Sequence, residues 1–224
     1  MSLRDIRVQE NTPIHWAGFS PISPTHDPLR GRHSRGGIAS SGLSAHTRVE
    51  TLRGPVHARD LQIGDQVKTH RGGYATLRWV GTSRLSDQGD PPMRRTSFDG
   101  RESTSLVTPD QLVLITHQQN ELLFGAAEVL CSARDLAAVG LFTPDETVNP
   151  TFVHVLFDTY ELLHCGDDWV ESLRPDMDRI RTADADTADE ILTHLPKLAS
   201  HQARAAYVRT RPILDEREVS LLFA

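Results

Sequence analysis

From Thr47 onward the chain alternates apolar and polar positions in short runs, each cut off by turn residues. "TRVETL" stops at Arg53-Gly54-Pro55, and "VHARDLQIGDQVKTH" carries Gly64-Asp65 in its middle. Arg71-Gly72-Gly73 then precedes "YATLRWVGTSRL". Strands of this length and spacing predict a mostly β domain. Residues 86–104 read as a polar loop. Strand texture returns in "SLVTPDQLVLITH", "NELLFGAAEVLCSA" and "TFVHVLFDTYELLHC", with a helical turn in "SARDLAAVG" that ends at Gly140. The pattern places Trp79, Val113, Leu114, Val155, Leu156 and Phe157 in the core.

The two ends differ from this middle. After Pro175 the period changes from two to that of a helix. Thr187 and Glu190 have the spacing of a capping box, with Ile191, Leu192 and Leu195 following at helical intervals. Further helical stretches are expected from about Leu198 to Tyr207 and from Asp215 to Phe223. The start, with Pro13, Pro21, Pro24 and Pro28 among Gly and Ser, has little apolar periodicity. It reads as an arm that drapes over the domain through Ile14, Trp16 and Phe19. The expected organisation is an N-terminal arm over 1–41, a β domain over 42–175 and a helical C-terminal extension over 176–224.

Composition narrows the function more than the fold. Of 224 residues, 38% are hydrophobic and 24% charged, which suits a soluble globular chain. With 24 Lys and Arg against 30 Asp and Glu, the formal charge of −6 offers no general attraction to nucleic acid or anionic lipid. The basic stretch "RGRHSRGG" is short and rich in glycine, so it is expected to be a solvated part of the arm. No apolar run is long enough to span a bilayer, and "MSLRDIRVQEN" lacks the core of a signal peptide, so a cytoplasmic location is favoured, with export as the open alternative. Cys131 and Cys165 sit in apolar company and are expected to be buried free thiols.

The 11 histidines show neither His-x-x-x-His nor any pairing with Cys-x-x-Cys. If residues 154–161 form one strand, His154 and Asp158 share a face and Glu161 takes the other, which disfavours a three-ligand metal site. No metal and no cofactor are expected. Neither a Gly-x-Ser-x-Gly elbow nor a phosphate loop is present.

Four collinear blocks carry a resemblance. They are "TRVETLRGPVHARDLQIGDQVKTHRGGYATLRWVG" (47–81), "LVTPDQLVLI" (106–115), "AAEVLCSARDL" (126–136) and "FVHVLFDTYELLHCGDDWVESLRP" (152–175). Together they resemble the Hint domain shared by hedgehog autoprocessing proteins and inteins, and most nearly a bacterial Hint subfamily. The tail "RPILDEREVSLLFA" is similar to that subfamily's C-terminal helix. The resemblance implies a mostly β Hint-like fold with a helical C-terminal extension, and chemistry of the autoprocessing and protein-splicing kind.

In such a domain a Cys or Ser at the first position attacks the preceding carbonyl, and a Thr-x-x-His block polarises the site and protonates the leaving amine. A nucleophile needs activation and an amine needs a proton to leave near neutral pH. Carried onto this chain, the nucleophile position falls on Gly42, which has no side chain. Thr108 keeps the threonine, but Gln111 stands in the histidine's place and cannot exchange a proton at neutral pH. Tyr160 stands where the family tends to have histidine, and a phenol is a poor general base.

The expectation is a degenerate domain without self-cleavage, serving as a structural or binding module, with its own N-terminal arm or another protein as partner. The alternative is an active domain using Ser41 or Ser44 as nucleophile. His46 and His117 lie near the site in sequence and read as surface residues.

Overall fold

The computed structural model describes residues 41–84, 90–96, 105–148, 150–205 and 207–224. The expected N-terminal arm lies outside these residues apart from Ser41. The first texture block folds into β1 (Leu43–Ser44), β2 (Arg48–Thr51), β3 (Gly54–His57), β4 (Gln66–Thr69), β5 (Gly73–Thr76) and β6 (Trp79–Arg84). The turns fall at the predicted glycines, and Gly64, with φ at 98°, needs the freedom that only glycine has without strain. The central block gives β7 (Met93–Arg95), β8 (Leu106–Val107), β9 (Leu112–Thr116), α1 (Asn120–Phe124), β10 (Glu128–Ser132) and α2 (Ala133–Leu136). It closes with β11 (Phe142–Pro144), β12 (Thr151–Leu156), β13 (Leu162–Cys165) and β14 (Asp168–Glu171). The tail forms α3 (Met177–Ala183), α4 (Ala185–His194), α5 (His201–Ala205), β15 (Ile213–Leu214) and α6 (Glu216–Leu222).

Among the described residues these strands make two sheets. One has the order β11-β7-β8-β1-β12-β6, and the other runs β15-β10-β9-β14-β13-β2-β4-β5 with β3 beside β2. Most neighbours are antiparallel; β15 lies parallel to β10. The short β1 sits between β8 and β12, pairing Leu43 with Val107 on one side and Val153 on the other. That position brings the start of the domain against two distant segments.

Several expectations are corrected. Met93–Arg95 forms a strand inside the stretch read as a polar loop, because its backbone pairs with β8 and β11 while three residues show no period to read. "NELLF" is the helix α1, not strand. Asn120 Nδ2 donates to the carbonyls of Ile115 and Ala127 and so closes the connection between β9 and β10. Helix α4 is capped three residues earlier than the Thr187 reading. Asp184 accepts from the Thr187 backbone N–H and from its hydroxyl. The stretch from Leu198 breaks into a 3₁₀ turn over Pro196–Ala199 and α5. The C-terminal region is not helical throughout, since β15 adds a strand to the larger sheet. Residues 154–161 are not one strand either; β12 ends at Leu156, so Asp158 is half-exposed in an ion pair with Arg78.

Trp79, Val113, Val155, Leu156 and Phe157 are buried, whereas Leu114, on the opposite face from Val113, is only partly so. The tail shares the core. Ile180, Ile191, Leu198 and Tyr207 pack with Trp79 and Leu156, while Val219 and Leu222 join the cluster around Val49 and Val113. Asp215 and Glu218 cap α6 reciprocally, each side chain accepting the other residue's backbone N–H.

Candidate functional site

Gly42 directly precedes β1, and Thr108 directly follows β8. Pairing of these two strands continues past their ends, so the Thr108 backbone N–H donates to the Gly42 carbonyl at 3.1 Å. Thr108 and Gln111 then form a tight turn, with the Gln111 N–H on the Thr108 carbonyl at 3.0 Å. Pro109 and Asp110, between them, are turn residues that suit this bend. In the larger sheet β14 and β13 separate β9 from β2, so it is β1, meeting β8 in the smaller sheet, that brings Gly42 to Thr108.

Gln111 is buried, and its amide N–H bonds are both engaged. Nε2 donates to the Glu171 carbonyl at 2.9 Å and to the Leu112 carbonyl at 3.1 Å, which uses both N–H bonds. The side chain therefore ties β9 to β14. Behind it, the buried Glu171 carboxylate accepts a two-pronged hydrogen bond from Arg209, at 2.5 and 2.9 Å. Tyr160 is buried beside this pair, with no hydrogen bond of good geometry to its hydroxyl. Burial, and then the Glu171 charge, push its phenol well above the ordinary value. Tyr160 thus holds its proton at all moderate pH and cannot serve as a base.

The alternative nucleophiles are both buried. Ser44 Oγ accepts the His46 N–H at 3.3 Å, and the Ser44 backbone pairs with Phe152. The Ser41 carbonyl accepts from His154. The chain's cysteines offer no thiolate: burial pushes the Cys131 thiol up to about 12 and raises Cys165 as well. His46 is exposed, whereas His117, also read as a surface residue, is half-buried. His57 Nδ1 donates to the His46 carbonyl, and His117 stacks at a tilt on Phe223.

His154 was missed as a site residue. It lies on β12 opposite Gly81, 3% exposed, and its ring bridges two distant groups. Nδ1 is 2.5 Å from the Ser41 carbonyl and Nε2 is 2.7 Å from Ser83 Oγ. A carbonyl can only accept, so Nδ1 carries the proton. Burial pulls this imidazole down to about 4, so near neutral pH Nε2 is unprotonated and accepts from the Ser83 hydroxyl. A lone histidine in an apolar strand has no sequence signal for this role. Its partners are 71 and 113 residues away.

The family's sequence model for the Hint domain matches residues 41–177, more than half of the chain. The chain belongs to the Hint domain family. Its mostly β Hint fold with C-terminal helices agrees with that membership. Among solved structures, the chain is similar to the gp41-1 intein at 17% identity, over 58% of this chain and 97% of that one, with a TM-score of 0.40. It is also similar to a splice-inactive variant of the AceL NrdHF class 3 split intein (12% identity, 59% of this chain, 97% of that one, TM-score 0.40). The MchDnaB-1 intein matches at 15% identity over 58% of this chain and 98% of that one, with a TM-score of 0.35. A comparison with functionally curated proteins gives no match.

Among the described residues, no group of three or more His, Cys, Asp or Glu is arranged to hold a metal ion. No described helix is long and apolar enough to cross a membrane.

Proposed function

We propose that this Hint domain does not cleave itself and serves as a structural or binding module, with degenerate residues at the family's site positions. The observation that carries the reading is the Gln111 amide. Gln111 occupies the turn after Thr108 where a proton donor to the leaving amine is required, and both its N–H bonds are held by backbone carbonyls. General acid–base help is typically worth about 10²–10⁴ in rate. Here that help is missing, and the adjoining position 42 has no side chain to attack with.

Tyr160, held protonated, supplies no replacement base. Ser44, engaged in its own turn, and Ser41, whose carbonyl is held by His154, have no neighbouring general base among the described hydrogen bonds. The same reading takes residues 42–175 as the Hint unit, 1–41 as an N-terminal arm and 176–224 as a C-terminal extension, rich in helix, that packs into the core. The bacterial subfamily resemblance rests on the tail sequence and the four blocks. The module's partner is its own arm or another protein.

The test is the intact mass of the unmodified chain during long incubation at neutral pH, with and without dithiothreitol or hydroxylamine. The mass is expected to stay constant in all conditions. Spontaneous scission between residues 40 and 44 would overturn the reading in favour of a serine nucleophile.

A further inference from the structure

Glycine stands at position 42 for a reason other than its backbone freedom. Gly42 is not among the described glycines with positive φ, so its conformation is open to any residue. What is missing is room. An ideal Cβ there would lie 2.8 Å from His154 Cε1, 3.1 Å from Phe152 Cβ and 3.2 Å from Thr108 Cγ2. None of these atoms is the free end of a flexible chain. Cε1 is the carbon between the two ring nitrogens of His154, and each nitrogen is engaged, with the Ser41 carbonyl and with Ser83 Oγ. The ring cannot retreat without giving up one of those bonds. Phe152 Cβ is fixed by the pairing of β12 with β1, and Thr108 Cγ2 belongs to a stiff β-branched side chain.

The same imidazole also holds the carbonyl that precedes Gly42, the group an acyl shift at this position would attack.

We propose that His154 is a positioning residue that closes the junction between residues 41 and 42, filling the volume a nucleophile would need and clamping the Ser41 carbonyl by Nδ1–H. This rests on the reading of residue 42 as the family's nucleophile position, and it deepens that reading. Restoring a thiol or hydroxyl at 42 does not restore a site, because residue 154 must shrink first. Ser83 acts through His154. Its hydroxyl donates to Nε2 and so keeps the proton on Nδ1, facing the carbonyl.

The first measurement is a double-mutant cycle by urea unfolding of the native chain, Gly42→Ala, His154→Ala and the double variant. Overpacking a tight site is costly, so Gly42→Ala should lower the folded-to-unfolded ratio roughly tenfold or more in the native background. In the His154→Ala background the same methyl enters vacated space and should lower it less than about threefold. Equal losses in both backgrounds, or a Gly42→Ala chain as stable as the native one, would overturn the proposal.

The second measurement needs no variant to fold. Nitrogen-15 NMR of the histidine rings in the unmodified chain at neutral pH should show Nδ1 of His154 protonated, Nε2 unprotonated, and a through-hydrogen-bond coupling to the Ser41 carbonyl carbon. A proton on Nε2 instead, or no such coupling, would overturn it as well. These outcomes are separable from those of the intact-mass test. Self-cleavage of the native chain defeats the proposed function, whereas zero coupling between positions 42 and 154 defeats only the closure by His154.

Discussion

The two halves of the candidate site, around Gly42 and around Gln111, are held by different physics. Around Gly42 the closure is steric: a buried, neutral imidazole, a phenylalanine Cβ and a threonine methyl stand where a side chain would start. Around Gln111 it is polar: an amide with both donors taken holds the backbone carbonyl of Glu171, whose buried carboxylate Arg209 neutralises. The first half is built from β1, β8 and β12, all within the span matched by the family model. The second half depends on Arg209, which comes from beyond it. On the proposed reading one half is closed by filling and the other by bonding, and the two should respond differently to mutation and to pH.

The largest effect is expected on the polar half. Arg209→Ala leaves the Glu171 carboxylate buried without its cation, and breaking one side of a buried pair typically costs about 3–5 kcal/mol. Urea unfolding should show that loss, while Arg209→Ala with Glu171→Gln recovers part of it. A change under about 1 kcal/mol would mean that the tail does not brace this half.

The steric half should show itself through pH. His154 is held at about 4 in the folded chain against 6.5 when free, so between those values the unfolded chain binds a proton that the folded chain refuses. Its contribution is full above about pH 6.5 and fades as the pH falls toward 4, by about 3 kcal/mol in all. Asp168, whose carboxyl burial pushes upward, works in the opposite sense at the acid end. The slope is therefore read as the difference between the native chain and His154→Gln. Parallel stability curves for the two proteins over that window would remove the buried neutral imidazole from the account.

A smaller effect is expected for Gln111→Ala, which strips the Leu112 and Glu171 carbonyls of their side-chain donor. Leaving buried acceptors unsatisfied costs roughly 1–3 kcal/mol. Gln111→His should lie between this variant and the native chain, because one ring N–H can replace only one of the two bonds. If Gln111→Ala unfolded at the native urea midpoint, the amide would not be the tie between β9 and β14.

How much of this was legible in the sequence varies with the range of the interaction. The strands bounded by Gly54, Gly64 and Gly72 follow from period and turn chemistry, which act over a few residues. The same holds for the turn at Gly140. The helix caps were readable only in part. Asp215 opens its helix where the pattern places it, whereas Asp184 takes the role assigned to Thr187 because both residue types can cap. The strand Met93–Arg95 was not readable, since a three-residue strand between β8 and β11 is made by its neighbours.

By itself, the sequence determined that this is a Hint domain, and that glycine, threonine, glutamine and tyrosine stand at positions 42, 108, 111 and 160. Family blocks and side-chain chemistry are written residue by residue. The tertiary structure alone decided that His154 fills the space beside Gly42, and that Arg209 returns from the tail to neutralise Glu171. Both depend on which side chains from distant segments compete for the same few ångströms. His154 is 113 residues from the carbonyl it holds, and Arg209 is 38 from its carboxylate. Volume and hydrogen-bond valence at such a place are settled when β1 slots between β8 and β12 and β15 docks on β10, and no local pattern in the chain records the result.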